Sequence, residues 1–145
     1  MWGFGVGIAV ACVAAWACTL AWVDAREHRL PDVLTLPGVL VAWAVAAVLE
    51  PGWILGGLGW SACYGLCALW GRGMGGGDVK LAASLGVAVA VWGVLAWWVA
   101  VAAASALSVV FMLATRRRAV AHGPAMLLAA AAVWGLGMCP GWLPW

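Results

Sequence analysis

Long apolar runs separated by short polar stretches divide the chain. All twelve Asp, Glu, Lys and Arg residues fall at 24–32, at Glu50, at 72–80 and at 116–118, and the runs between them carry none. Residues 2–23 form the first run, long enough to cross a hydrocarbon core of ~30 Å at ~1.5 Å rise per residue. Its positive charges follow the apolar stretch, which makes it a poor signal peptide and predicts a first membrane helix. Residues 24–32 form a polar loop in which Pro31 fixes φ and discourages a helix from running through. Asp32 is then expected to accept backbone N–H bonds at the start of a second helix over 33–49. Pro37, near that start, predicts a kink or a later beginning. Glu50-Pro51-Gly52 ends the second helix, and a third is predicted over 53–70.

After a glycine-rich loop, residues 81–115 are apolar throughout. As one helix that run would measure roughly 52 Å, far more than a bilayer core needs. A break at Trp92-Gly93 is therefore expected, giving a short fourth span over 79–91 and a fifth over 94–115. A basic loop follows, and Pro124 opens a sixth span to about 142. Six spans place the loops at 24–32, 72–80 and 116–123 on one side, and those loops hold all seven Lys and Arg. The positive-inside rule makes that side cytoplasmic and turns both termini outward. The expectation is an all-α polytopic membrane protein of about six transmembrane helices, a single membrane-embedded domain over 1–145.

Composition agrees: 68% of residues are hydrophobic and 8% charged, against roughly 25% charged in an average soluble domain. Only Arg116-Arg117-Arg118 resembles a basic patch, so no nucleic-acid partner is expected; the surroundings are membrane lipid. Cys12, Cys18, Cys63, Cys67 and Cys139 all lie inside apolar runs without CxxC spacing, and packing is the expected role. No metal and no cofactor is expected. Trp2, Trp22, Trp53, Trp70, Trp92, Trp142 and Trp145 sit near span ends, where amphipathic rings favour the interface, and the other tryptophans are read as packing. GxxxG spacings at Gly3 and Gly7, and at Gly52 and Gly56, allow close helix contacts or a homo-oligomer.

The chemistry concentrates in two places. Gly75-Gly76-Gly77-Asp78-Val79-Lys80-Leu81 sets an acid in a glycine-dense loop that leads into an apolar run, and such glycines let another chain pass closely. Asp24 follows directly on the first span. The topology places Asp24 and Asp78 at the same interface, so they can meet although 54 positions separate them. Taken alone, Asp24 also reads as an interfacial charge paired with Arg26 or Arg29, and Asp78 as the acid of a polar turn. Two carboxylates brought within a few Å do not both ionise easily, and one raised pKa makes the pair an aspartic-peptidase dyad. The ionised partner takes a proton from water while the neutral one hydrogen-bonds the scissile carbonyl. The chain has no D-[ST]-G, HExxH, GxSxG or Walker loop.

The segment 24–37, an aspartate followed by Leu30-Pro31-Asp32 and a second proline at Pro37, resembles the first catalytic motif of the type IV prepilin peptidases. Gly75-Gly76-Gly77-Asp78-Val79-Lys80-Leu81 is similar to their GxGDxKL motif, and His122-Gly123-Pro124-Ala125 is similar to the Gly-Pro step before their last helix. The resemblance implies a GxGD aspartic endopeptidase of the bacterial inner membrane. Such an enzyme cuts the short basic leader from prepilin or pseudopilin precursors at the cytoplasmic face, after a glycine. It carries the catalytic roles onto Asp24 and Asp78, with Gly75, Gly77, Lys80, Pro31 and Asp32 as motif and supporting positions. Asp32 falls where the family accepts Asn, which argues against catalysis; Lys80 has an open role, with snorkelling to the interface as the simple one. Long family members carry a cytoplasmic insertion with paired CxxC motifs associated with N-methylation. The chain lacks it, so it resembles the short form found with tight-adherence pili, and methyl transfer is not expected. Two other readings stay open: a noncatalytic membrane scaffold or small transporter of the same fold, and a GxGD peptidase acting on another membrane substrate.

Overall fold

The computed structural model describes residues 2–71, 74–116 and 120–137. Its six helices are α1 (Trp2–Glu27), α2 (Asp32–Leu49), α3 (Trp53–Trp70), α4 (Gly76–Ala90), α5 (Gly93–Thr115) and α6 (Gly123–Gly137). No strand occurs among the described residues. Of these helices α1, α2, α3 and α5 are long and apolar enough to cross a membrane. At 15 residues each, α4 and α6 span ~22 Å. The predicted break falls as expected: α4 ends at Ala90, Trp92 caps α5, and Gly93 makes the turn at φ +90, a conformation open to glycine.

The helix at the centre is α4, which packs against α2, α3, α5 and α6. Leu81, Ala82, Ala83, Ser84, Leu85, Gly86, Val87 and Val89 are all buried, so α4 shows little of itself to lipid, as a helix apolar all round does in a core. Lipid tails are as apolar as side chains, so helices in a membrane associate through close packing and polar contacts. Both are present. A Cβ at Gly86 would strike the Gly56 carbonyl oxygen and lie 2.8 Å from the Gly57 Cα, so α3 and α4 touch backbone to backbone there. On α5, Ala96, Ala100 and Ala104 form a buried stripe at four-residue spacing, and α5 packs on α6. The close approach belongs to Gly56, Gly57 and Gly86; Gly7 of the first GxxxG spacing has nothing within 4 Å.

Four tryptophans within the spans bond across helices through their indole N–H. Trp16 donates to the Leu34 carbonyl at 2.9 Å, Trp43 to Ala83 at 3.1 Å, Trp97 to Gly56 at 2.9 Å and Trp134 to Ala88 at 3.1 Å. Interhelical hydrogen bonds in membranes are worth about 0.6 kcal/mol each on average. These rings therefore both fill space and fix helix register. Cys12, Cys18, Cys63 and Cys67 are free thiols exposed on the outside of the bundle. Cys139 lies outside the described residues, as does the expected end of the sixth span.

Two details of α2 depart from expectation. The helix begins at Asp32, not after Pro37, which lies inside it. Pro31 takes the extended N-cap conformation (φ −70, ψ 137), and its carbonyl accepts from the N–H groups of Leu34 and Thr35 at 3.0 and 3.1 Å. Asp32 is thus one residue too late to cap, and no side-chain capping bond forms.

Candidate active site

The last turn of α1 carries Asp24, which is only 4% exposed. Just beyond it the helix stops: the His28 N–H bonds to the Asp24 carbonyl at 2.9 Å, with His28 in the left-handed region at φ 50. The chain returns through Leu30, which is buried, and Pro31 turns it into α2. Among the described residues Asp24 forms no ion pair with Arg26 or Arg29. Its Oδ2 accepts the backbone N–H of Gly123 at 2.9 Å, and the Arg26 guanidinium lies over the Trp22 ring, 4.1 Å from its centroid. Gly123 opens α6, and the first N–H groups of a helix have no intrahelical partner and carry the positive end of its dipole. A Cβ at Gly123 would lie 2.7 Å from Asp24 Oδ2, so only glycine admits the carboxylate there.

Asp78 stands in the first turn of α4, before the apolar run that begins at Val79, and is 9% exposed. Its Oδ2 accepts the N–H of the N-cap residue Gly75 at 3.3 Å, while its own N–H donates to the Gly75 carbonyl at 3.1 Å. Burial pushes the Asp78 carboxyl up to about 6, the negative charge of Asp24 adds to that, and the Gly75 N–H works against it. Each of the two carboxylates therefore meets an N–H at the start of a 15-residue helix, Asp24 that of α6 and Asp78 that of its own α4.

Leu30 joins the two halves. A Cβ on Gly77 would stand 2.6 Å from the Leu30 Cβ, and one on Gly123 3.4 Å from Leu30 Cδ1. Of the three glycines before Asp78, Gly77 alone is sterically required; a Cβ at Gly76 meets nothing, and at Gly75 it makes ordinary contact. Asp32 and Lys80 form an ion pair at 2.5 Å between the starts of α2 and α4, with side chains 59% and 38% exposed. Lys80 thus bridges two helix starts as well as reaching toward the polar end. Pro31, Asp32, Gly75, Gly77, Asp78, Lys80 and Asp24 all gather at one end of the bundle, where α1 ends and α2, α4 and α6 begin.

Sequence reasoning missed the Gly123 amide, and it read Leu30 as part of a motif without its contacts to Gly77 and Gly123. The Gly-Pro pair at 123–124 marked a helix start with free N–H groups and no Cβ, which was the available signal. Among the described residues no group of three or more His, Cys, Asp and Glu gathers to hold a metal ion. What the site offers chemically is two buried carboxylates at one end of the bundle, with burial and the Asp24 charge raising the Asp78 carboxyl to about 6.

A family model described as the type IV leader peptidase family matches residues 11–99. The chain belongs to that family and is accordingly a leader-peptidase-like protease in general. The matched stretch includes Asp24 and Asp78 and ends before Gly123. No curated protein and no solved structure matches the chain significantly.

Proposed function

We propose that this member of the type IV leader peptidase family is an aspartic endopeptidase in which Asp24 and Asp78 form the catalytic dyad. The observation that carries the reading is that two carboxylates, each less than a tenth exposed, stand at the same end of a membrane bundle, linked through the contacts of Leu30 with Gly77 and Gly123. Asp78 is the partner that takes a proton first, because burial and the Asp24 charge both favour its neutral form. Asp24, with the shorter N–H bond of the two (2.9 against 3.3 Å), is the ionised base.

The reaction then runs as acid–base hydrolysis. Asp24 takes a proton from water, whose oxygen attacks the scissile carbonyl carbon, while the neutral Asp78 gives its proton to the carbonyl oxygen. When the tetrahedral species collapses, that proton returns to Asp78, the C–N bond breaks and the departing amine takes the proton held on Asp24. Both carboxyls end as they began.

The substrate we assign is a prepilin-type precursor, cut between its basic leader and its apolar helix. Among the described residues Arg26, Arg29, Lys80 and Arg116 lie at the dyad's end of the bundle, which supports a cytoplasmic orientation of the site in a bacterial inner membrane. There the leader is accessible while the helix stays in lipid. Purified protein incubated with a prepilin-type peptide tests this: cleavage at the leader junction is expected, and its abolition by either Asp24→Asn or Asp78→Asn.

A further inference from the structure

A chain of polar side chains crosses the bundle and is centred on His122, the residue before Gly123. Tyr64 of α3 is 4% exposed, and its hydroxyl lies 2.8 Å from His122 Nε2. His122 Nδ1 lies 2.6 Å from the Ser108 hydroxyl of α5, which is also 3.1 Å from the Ala104 carbonyl. The Tyr64 and His122 rings are in tilted contact at 5.2 Å, and Trp60 meets Tyr64 edge-on.

One assignment of protons gives every donor an acceptor: Ser108 O–H to the Ala104 carbonyl, His122 Nδ1–H to Ser108 Oγ, and Tyr64 O–H to His122 Nε2. It requires neutral imidazole, and burial pushes His122 downward, which favours that form. His122 is also the residue whose carbonyl accepts the first helical bond of α6, from the Met126 N–H at 3.1 Å. Its ring is therefore tied to α3 and α5 while its backbone opens α6.

Polar groups inside a membrane bundle are costly unless they are mutually satisfied, and phenylalanine rings at 64 and 122 would occupy similar volume without that demand. What the polar chain adds is orientation. It fixes the ring, hence the backbone, of the residue whose peptide unit contains the Gly123 N–H. That N–H must point at Asp24 Oδ2, since a hydrogen bond weakens steeply as its angle closes.

We propose that His122 is a positioning residue, held by Tyr64 and Ser108, which aims the Gly123 amide at the Asp24 carboxylate. The inference rests on the dyad reading of Asp24. It acts through Asp24 and touches no substrate, so its loss appears in kcat and not in KM.

The test is cleavage of a prepilin-type peptide by the purified full chain and its variants. Tyr64→Phe and Ser108→Ala, which remove one oxygen each, are expected to lower kcat about tenfold, as for one hydrogen bond, with KM within about twofold. His122→Phe is expected to lower it about a hundredfold. His122→Asn keeps an N–H donor near the Nδ1 position and is expected to recover about tenfold over His122→Phe. Tyr64→Phe with Ser108→Ala at the wild-type kcat, beside an inactive Asp24→Asn, would overturn the positioning role and leave the dyad standing. A loss confined to His122→Phe, or one carried by KM, likewise assigns the residue to packing or binding and overturns it. An active Asp24→Asn brings down the dyad reading, and this inference with it.

Discussion

Leu30 rests so closely on Gly77 that a Cβ at residue 77 would lie 2.6 Å from its own Cβ. Through this contact the loop after Asp24 and the start of the helix bearing Asp78 are held as one unit. Gly77→Ala forces the two apart, with overpacking expected to cost about 1–3 kcal/mol. A misplacement near 1 Å is enough to lower cleavage on the order of 10²-fold. Gly76→Ala meets open space and is expected to leave cleavage within a few-fold of wild type. Parallel kinetics and thermal unfolding of the two variants check this; equal effects would contradict it.

The Asp32–Lys80 pair predicts a small effect. Both side chains are more than a third exposed, and such pairs contribute about 0–1 kcal/mol. Asp32→Asn should therefore cleave within a few-fold of wild type, and a double-mutant cycle with Lys80→Met should give a coupling below about 1 kcal/mol. An inactive Asp32→Asn would place Asp32 in the chemistry.

Asp78 makes stability depend on pH. Its carboxyl is raised from 3.8 to about 6, so between those values the folded protein holds a proton that the unfolded chain releases. Stability is then full below about pH 4 and falls as pH rises through 6. Asp78→Asn removes the charge that burial disfavours and should gain up to about 3 kcal/mol over wild type above that window. Unfolding of both proteins in detergent at pH 4 and pH 7.5 measures the difference; a gain of the variant over wild type that is the same at both would mean that Asp78 titrates normally.

Orientation is tested by labelling single cysteines placed in a background without the native five. His28→Cys, Met74→Cys and Ala121→Cys are expected to react from the cytoplasm only, and Pro51→Cys from the opposite side. Reaction of Ala121→Cys from the opposite side would contradict the proposed topology.

The helices were legible because their limits are written in residue types. Charges, Glu50-Pro51-Gly52 and Trp92-Gly93 interrupt apolar runs, and the structure breaks at those places. The common end for Asp24 and Asp78 followed from helix parity alone. What the sequence hid depends on atoms far apart along the chain. The Gly123 amide meets Asp24 across 99 positions through a backbone donor, which no side-chain pattern announces. Asp32 had the side chain of a helix cap, yet Pro31 holds the extended N-cap backbone and leaves Asp32 free to meet Lys80. Among the glycines, contact and not density separates Gly77 from Gly76.

The proposed mechanism requires the two aspartates to act together. The direct measurement is the single-turnover rate of leader cleavage, in detergent or liposomes, by wild type, Asp24→Asn, Asp78→Asn and the double variant, each verified as inserted. Acid–base action contributes roughly 10² to 10⁴ in rate, and residues that work as a unit are not additive. Each single variant should fall by at least that much, and the double variant should be hardly slower than either. Near-normal cleavage by Asp78→Asn, or independent losses that multiply in the double variant, would contradict the dyad.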